Sequence, residues 1–242
     1  IEYTTDGNNF TGLNSIPSSI PGYPAGLALN VIAWNGSIWL AAGGSANTSE
    51  YVVTSANGTS WSVSAVLTNF AQISPAGVAW NGSVWCMVGK GSTCTSPDGI
   101  YWTYGNTAIF NSSPVAECYR LIWALNKFWA VGIDGSTQVW SSPDGLTWSQ
   151  LIDPFGAVSC TCVDICFTGS LLVAAVQIGD YGTLWYSSTG AVGTWVQASG
   201  APFDGTTINQ VNAMAFNGIN VTALGSEQLF QLSMDPTPRF SP

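Results

Sequence analysis

The chain has 242 residues, of which 46% are hydrophobic and only 7% are charged, and its net charge is −9. Its four cations, Lys90, Arg120, Lys127 and Arg239, cannot provide the row of phosphate-neutralising side chains that nucleic-acid binding requires. Histidine is absent, which excludes Ser-His-Asp and Cys-His catalysis. No apolar run approaches the roughly 18 residues of a membrane-spanning helix, so we expect neither a nucleic-acid partner nor membrane insertion.

An internal repeat organises the chain. Five aromatic anchors occupy equivalent points of it, and these are Trp34, Trp80, Trp123, Phe167 and Phe216. The anchors are 46, 43, 44 and 49 residues apart, and each ends an apolar run that leads towards a turn. The repeats cover approximately residues 27–65, 74–105, 116–151, 160–198 and 209–240. A period of this length is typical of propellers and solenoids.

Each repeat predicts four short strands, which we call a to d. Strand a ends at the anchor, strand b follows a turn of the Asn-Gly type, strand c follows a polar loop, and strand d follows an Asp-Gly turn. Short runs rich in Val, Ile, Trp and Thr, bounded by Gly, Pro, Asn and Ser, are typical of strands. A four-stranded sheet with two apolar faces buries both only when a neighbouring sheet covers each face, as in a ring. We therefore expect an all-β fold, a single β-propeller domain over 1–242 with five four-stranded antiparallel blades.

The turn between strands c and d is the most regular part of the repeat. Ser-Pro-Asp-Gly-x-x-Trp occurs at 96–102 and again at 142–148, and weaker copies occur elsewhere. The structural residues of these turns are Asp6, Asn57, Asp98 and Asp144, with the aromatic residues Trp61, Trp102, Trp148 and Trp195. A buried Trp contributes up to about 4–6 kcal/mol, whereas a turn hydrogen bond contributes about 1 kcal/mol. We expect the aromatic residue to stabilise each turn more than its carboxylate does.

The N-terminal segment has a turn of this type without strands a and b before it. Residues 1–13 therefore have the character of strands c and d alone. We expect this segment to complete the last blade as its outer edge and so to close the ring. Two alternatives remain, because residues 233–240 compete for the same place and the ring could contain six blades.

The Ser-x-Asp-Gly-x-x-Trp copies resemble the Asp-box, also called the bacterial neuraminidase repeat, although one residue is missing between Asp and Gly. This compressed form is similar to propeller repeats of secreted, phage and large-virus proteins. The resemblance implies a β-propeller in which the box is a structural turn away from the ligand face. It does not imply sialidase activity, because that chemistry needs an arginine triad and only Arg120 and Arg239 are present.

The loops between strand d and the next strand a carry an aromatic residue 10–13 residues before each anchor. These residues are Tyr23, Phe70, Phe110, Phe155 and Phe203. These rings allow two interpretations. In the first they form an exposed surface on which sugars or a partner protein stack. In the second they fill the gaps between adjacent blades. Further candidates for the ligand face are Glu117, Arg120 and Asp164, and the last of these lies in an otherwise apolar strand. Two interpretations of Asp164 are open. In one, its carboxylate lines a water-filled central channel or pairs with Arg120 of the neighbouring blade. In the other, it acts in glycoside hydrolysis.

Cysteines and sequons both favour an oxidising compartment. The candidates for disulfide bonds are Cys86, Cys94, Cys118, Cys160, Cys162 and Cys166, an even number. Buried free thiols in an intracellular protein are the alternative interpretation, and we expect no metal site. The candidates for N-glycosylation are Asn35, Asn47, Asn57, Asn81 and Asn111.

We interpret the chain as a non-catalytic binding module, extracellular or on a virion surface, that needs no cofactor. The expected role is carbohydrate recognition or adhesion through the loops of one face, with a glycan or protein partner. The alternative is a structural component of a viral coat, fibre or extracellular assembly, which would form a homo-oligomer. A glycoside hydrolase is the third hypothesis.

Overall fold

A computed structural model describes residues 2–3, 11–12, 20–24, 26–44, 49–68, 75–105, 108–112, 116–135, 137–156, 160–199, 210–225, 229–233 and 239–241. These residues form strands and connecting turns, and none of the described segments is a helix that could cross a bilayer. Two short strands, β1 (Glu2–Tyr3) and β2 (Thr11–Gly12), pair with each other near the N-terminus. Five four-stranded antiparallel sheets follow along the chain.

We call these sheets blades 1 to 5 in chain order. Blade 1 consists of β3 (Val31–Trp34), β4 (Trp39–Gly43), β5 (Glu50–Ser55) and β6 (Ser62–Leu67). Blade 2 consists of β7 (Gly77–Trp80), β8 (Trp85–Gly89), β9 (Ser92–Ser96) and β10 (Thr103–Tyr104). Blade 3 consists of β11 (Glu117–Ala124), β12 (Lys127–Asp134), β13 (Thr137–Ser142) and β14 (Ser149–Ile152). Blade 4 consists of β15 (Thr161–Phe167), β16 (Leu172–Ile178), β17 (Tyr181–Ser187) and β18 (Val196–Gln197). Blade 5 consists of β19 (Val211–Phe216), β20 (Asn220–Gly225), β21 (Leu229–Ser233) and β22 (Arg239–Ser241).

The four strands of every blade follow the predicted order a to d, since each strand pairs antiparallel with the next one along the chain. The first strands of successive blades lie side by side, so β3 contacts β7, β7 contacts β11, β11 contacts β15, and β15 contacts β19. The blades are thus arranged radially around these inner strands. This arrangement confirms the predicted all-β architecture of four-stranded antiparallel blades.

Four interfaces between neighbouring blades hold most of the buried apolar side chains. Leu40 and Trp85 lie between blades 1 and 2, and Phe128 lies between blades 2 and 3. Ile165 lies between blades 3 and 4, and Val173 lies between blades 4 and 5. Burial of apolar area at about 25 cal/mol per Å² makes these contacts the main stabilisation of the ring.

The Asp-Gly turns also connect neighbouring blades. Gly145 of blade 3 has a φ of +77°, and a Cβ placed on it would lie 2.7 Å from Thr95 Cγ2 and 2.9 Å from Cys86 Sγ of blade 2. Gly190 of blade 4 approaches Trp129 of blade 3 in the same way, at 2.3 Å. Glycine is needed at these turns because the backbone is left-handed and the preceding blade leaves no room for a side chain.

The prediction for the N-terminal segment is wrong in one respect. The outer strand of blade 5 is β22, which pairs with β21, and β1 pairs with β2. The competing C-terminal residues therefore occupy the place that we assigned to residues 1–13. They do so because β22 follows β21 directly along the chain, so the hairpin closes over a short loop.

Candidate functional site

The inner strands of blades 1 to 3 enclose a central cavity of about 380 Å³. Its lining residues are Asn30, Val31, Ile32, Ala33, Ala76, Gly77, Val78, Tyr119, Arg120 and Leu121. More of the lining surface is polar than apolar, since strand backbone and polar side chains contribute beside the apolar side chains. Arg120 brings the one charge among these residues, and Tyr119 and Asn30 bring polar groups. The cavity can therefore hold a small, mostly neutral group and offer it a cation at one side.

Arg120 and Asp164 lie on the inner strands of neighbouring blades, as one of our two interpretations predicted. The Arg120 Nε is 3.6 Å from Asp164 Oδ1, and 57% of the Arg120 side chain is exposed whereas that of Asp164 is buried. This distance is an ion pair rather than a hydrogen bond. Among the described residues, Asp164 is the ion-pair partner of Arg120. Because more than half of the Arg120 side chain is exposed, much of its guanidinium group faces solvent and the cavity.

Asp164 connects blade 4 to blade 5. Its Oδ1 accepts a hydrogen bond from Ile165 N at 2.8 Å, and its Oδ2 accepts one from Met214 N at 2.7 Å. Burial raises the pKa of this carboxyl, while the Met214 N–H and the Arg120 charge act in the opposite direction. Both carboxyl oxygens are thus engaged by backbone N–H groups, which suits a structural role better than proton transfer to a substrate.

Glu117 and Tyr119 lie beside Arg120 on β11, and both are exposed. The pKa of the Tyr119 hydroxyl is raised, first because the ring is partly buried and second because the negative charge of Glu117 is close. Glu117 also forms a hydrogen bond with Tyr119, which raises the pKa further. Glu117 and Arg120 are candidates that the sequence predicted, whereas Tyr119 and Asn30 are not. A signal was present, because Asn30, Ala76 and Tyr119 each lie four residues before an anchor and all three line the cavity.

The three aromatic residues of the d–a loops that the structure describes do not form an exposed surface. Tyr23, Phe110 and Phe155 are buried, so the predicted stacking surface is wrong for these three. Phe110 packs near Trp140 in the interface of blades 2 and 3, and Phe155 lies in the interface of blades 3 and 4. The alternative interpretation, in which the rings fill the gaps between adjacent blades, describes Phe110 and Phe155. They are buried because the d–a connection crosses from one blade to the next and passes over the gap between the two sheets.

Tyr23 packs on the outer face of blade 1, 5.3 Å from the Tyr51 ring centroid. Burial, together with the nearby carboxyl of Glu50, raises the pKa of Tyr23 to about 12. Phe70 and Phe203 lie outside the described residues.

The Asp-Gly turns have a regular set of hydrogen bonds. In blade 3, Asp144 Oδ1 accepts hydrogen bonds from Leu146 N and Thr147 N, both at 2.8 Å, and Trp148 Nε1 donates one to Gly145 O at 3.0 Å. The turn of blade 2 repeats the carboxylate bonds with Asp98, and that of blade 1 uses Asn57 in the same way. The indole N–H groups of Trp61 and Trp195 also bond turn carbonyls. Trp102 differs, because its buried Nε1 has no partner. Asp6 lies outside the described residues.

None of the six cysteines is in a disulfide bond, so the predicted disulfide bonds are not formed. Cys94 pairs with Met87, next to Cys86 on β8, and this offset of one residue sends the two thiols to opposite faces of blade 2. Cys118 donates a hydrogen bond to Arg120 O, and Cys162 donates one to Asp164 O. The two bonds lie at equivalent β-bulges, one in the first strand of blade 3 and one in the first strand of blade 4. Cys160 lies with Cys162 in the interface of blades 3 and 4, and Cys166 packs at the next interface. Burial raises the pKa of all six thiols, which makes them unreactive.

Three of the candidate glycosylation residues are parts of turns. The Oδ1 atoms of Asn35, Asn57 and Asn81 each accept two backbone N–H groups at 2.7–2.9 Å. Asn111 is exposed, and Asn47 lies outside the described residues. Hairpin geometry therefore accounts for three of these sequons without glycosylation.

The part of the chain that the structure describes has no group of three His, Cys, Asp or Glu side chains placed to hold a metal ion. Asp134 is buried and accepts hydrogen bonds from the backbone and hydroxyl of Ser112, so it fixes the loop between blades 2 and 3.

No family model matches the chain, and no curated protein matches it. The chain is similar in structure to YCF48 bound to D1 peptide, with 14% identity, a TM-score of 0.60 and coverage of 89% of this chain and 68% of that one. It is also similar to a chain of the nidogen/laminin complex, with 10% identity, a TM-score of 0.58 and coverage of 86% and 76%. The WD40 β-propeller domain of Doa1 matches with 12% identity, a TM-score of 0.55 and coverage of 87% and 67%. At such identities the likeness concerns the fold alone, and it shows that this chain folds as a β-propeller.

Proposed function

We propose that the protein is a non-catalytic binding module that takes a short segment of a protein or peptide partner into its central cavity. The observation that carries this proposal is the exposed Arg120 at the side of a cavity of about 380 Å³, with Tyr119 beside it. A planar guanidinium with uncommitted donors binds a carboxylate or two carbonyl oxygens in a bidentate manner. An aromatic ring next to it adds apolar contact area for the same ligand.

The charge of the whole chain limits the kind of partner. A net charge of −9 repels polyanions at long range, while Arg120 offers one local site for a negative or carbonyl group. A neutral or basic partner that presents a single carboxyl group or an extended backbone satisfies both conditions. Two of the similar structures are consistent with such a partner, since one is described as bound to a peptide and the other as a protein complex.

Carbohydrate recognition is the second candidate, and Tyr119 favours it. A ring beside a guanidinium and the amide of Asn30 offers stacking and hydrogen bonds to sugar hydroxyls. This site replaces the loop residues Tyr23, Phe110 and Phe155, which are buried. We retain an extracellular or virion-surface location as part of the proposal, on the basis of the Asp-box resemblance.

Two further hypotheses have weaker support. A structural role in a coat, fibre or assembly is consistent with exposed apolar residues on the outer strands, where Val66, Ile152 and Val196 lie. Glycoside hydrolysis needs two carboxyl groups, roughly 5 or 6.5–9.5 Å apart, that act on one bond. Asp164 does not suit this role because its two oxygens accept backbone hydrogen bonds.

A peptide-display library and a glycan array, probed with the purified protein, would test the proposal. For a ligand so found, we expect Arg120→Gln to weaken binding at least about tenfold and Tyr119→Ala to weaken it less. Lys127→Gln is the matched control, because Lys127 carries the same charge on the same blade but lies over the Trp129 ring, not at the cavity. Binding that Arg120→Gln and Tyr119→Ala leave unchanged would place the site elsewhere and overturn the proposal.

A further inference from the structure

Four Asn-Gly pairs occur in the chain, and they lie in two kinds of turn. Three occupy the turn between strands a and b, at 35–36, 81–82 and 217–218, and the fourth, at 57–58, occupies the c–d turn of blade 1. In an Asn-Gly pair the glycine nitrogen can attack the Asn side-chain carbon Cγ, because glycine has no side chain to obstruct the approach. All four pairs can undergo this reaction, and the surrounding turn determines its rate.

The side-chain carbonyl of each of these Asn residues is held by two backbone N–H groups. The donors belong to the second and third residues after the Asn, at 2.7–2.9 Å from Oδ1, in Asn35, Asn57, Asn81 and Asn217 alike. Two N–H groups on one carbonyl oxygen stabilise the negative charge that develops there when Cγ is attacked, as in an oxyanion hole. Because the four carboxamides are activated in the same way, a difference between them must come from the attacking nitrogen.

The glycine nitrogen is engaged in the c–d turn and free in the a–b turns. Gly58 N donates a hydrogen bond to Ser55 Oγ at 2.8 Å. In the part of the chain that the structure describes, the N–H groups of Gly36, Gly82 and Gly218 donate to no other group. These three glycines are exposed, and a Cβ placed on any of them would meet no atom within 4 Å. The a–b turns therefore offer both a free nucleophile and room for it to move.

From this contrast we infer that Asn35, Asn81 and Asn217 are sites of spontaneous deamidation, and that Ser55 protects Asn57 from the same reaction. The glycine nitrogen gives its proton to water and bonds to Cγ, the bond from Cγ to the side-chain nitrogen breaks, and ammonia leaves. Water then opens the cyclic imide at either carbonyl and leaves aspartate or isoaspartate, with no oxidant or reductant. Each event adds one negative charge, and isoaspartate also adds a methylene group to the backbone of the turn.

The serine that begins each c–d turn thus protects the turn as well as shaping it. Its hydroxyl accepts the glycine N–H at 2.8 Å in blades 1 to 4, where the glycines are Gly58, Gly99, Gly145 and Gly190. In blades 2 to 4 this glycine lies against the preceding blade, so a longer backbone would collide with it. The a–b turns have no such neighbour at their glycines, and they can accept the change.

Incubation of the purified protein at mildly alkaline pH, followed by proteolysis and mass spectrometry, measures the conversion of each Asn. We expect Asn35, Asn81 and Asn217 to convert at least about tenfold faster than Asn57 in the folded protein. The control is the same incubation in denaturant, where the turns are lost and the four pairs should convert at similar rates. Equal rates at the four sites of the folded protein, or no conversion at any of them while the denatured protein reacts, would overturn the inference.

A pair of variants tests the role of Ser55. Ser55→Ala frees the Gly58 N–H and should speed the conversion of Asn57 at least about tenfold. Ser60→Ala is the matched control in the same turn, because Ser60 bonds Asn57 through its backbone N–H and not through its hydroxyl, and it should leave Asn57 slow. Denaturant unfolding checks that both variants are folded, and the comparison within the wild-type protein needs neither of them. An unchanged rate at Asn57 in folded Ser55→Ala would refute protection by Ser55.

Discussion

Leu121 and Ile32 occupy the same position in two blades, yet their surroundings are opposite. Leu121 is buried between blades 2 and 3, and Ile32 is half exposed on the outer face of blade 1. The same contrast separates Gly145, which lies against blade 2, from Gly58, which lies against its own blade. The repeat thus places apolar residues on both faces of every blade, and only the neighbouring blade determines whether they contribute to stability.

The largest effect should come from a sealed interface. Trp148→Ala removes a buried ring between blades 2 and 3 and should lower the free energy of unfolding by about 3–5 kcal/mol. Asp144→Ala removes three turn hydrogen bonds at an exposed site, two from backbone N–H groups and one from the Ser142 hydroxyl, and should cost about 1–2 kcal/mol. Denaturant unfolding of both variants measures the difference. Equal losses would mean that the carboxylate, and not the aromatic residue, secures the turn.

A matched pair tests the contrast between the two faces directly. Leu121→Ala should cost about 2–5 kcal/mol because it opens a cavity in a packed interface. Ile32→Ala should cost less than about 1 kcal/mol because its side chain already faces solvent. Chemical denaturation of the two variants under one set of conditions gives both values. A cost for Ile32→Ala as large as that for Leu121→Ala would show that blade 1 is covered in solution.

The two turn glycines separate backbone strain from packing. Both have a φ near +76°, so an alanine at either place costs about 1–2 kcal/mol for the left-handed backbone. Gly145→Ala also drives a Cβ into Thr95 and Cys86 and should cost about 1–3 kcal/mol more than Gly58→Ala. Thermal and denaturant unfolding of the pair gives this difference. If the two variants lose the same stability, the turn of blade 3 does not pack on blade 2 as closely as described.

The smallest effect concerns a buried carboxyl in blade 1. Glu50 pairs across the sheet with Leu67 of the interface with blade 2, and its Oε2 has no hydrogen-bond partner. Burial raises the pKa of Glu50 from 4.5 to about 6, so the folded protein holds this proton more tightly than the unfolded chain. Its contribution to stability is therefore present below pH 4.5 and is lost as the pH rises through about 6.

The size of this loss is about 1–2 kcal/mol. Glu50→Gln should remove it, so the stability of the variant relative to the wild type should rise between about pH 4.5 and pH 6. Denaturant unfolding at a series of pH values provides the measurement. Asp144→Asn is the control, because the hydrogen bonds from Thr147 and Leu146 outweigh burial and lower the pKa of that carboxyl, which moves its effect to more acid pH. A flat difference between Glu50→Gln and the wild type would contradict the assignment.

The order of the strands was predictable because the repeat itself records it. In blade 3, for example, strand c was predicted before the Asp-Gly turn, and it is β13 (Thr137–Ser142), which ends where the turn begins. The pairing of Arg120 with Asp164 was one of two interpretations, and it followed from their equivalent positions on neighbouring inner strands. The contribution of Tyr119 to the cavity was missed, because its signal is its place four residues before an anchor, and only the assembled ring shows that this place lines the cavity.

The amino-acid sequence by itself determined the repeat, the four strands of each unit and the turns between them, because these depend on residues close together along the chain. Only the tertiary structure decided that Tyr23, Phe110 and Phe155 are buried, that Cys86 and Cys94 face opposite ways, and that Ile32 and Trp34 of blade 1 are exposed. The physical reason is that register and burial depend on a neighbouring strand or sheet. The same apolar side chain belongs to a core or to a surface according to what lies opposite it.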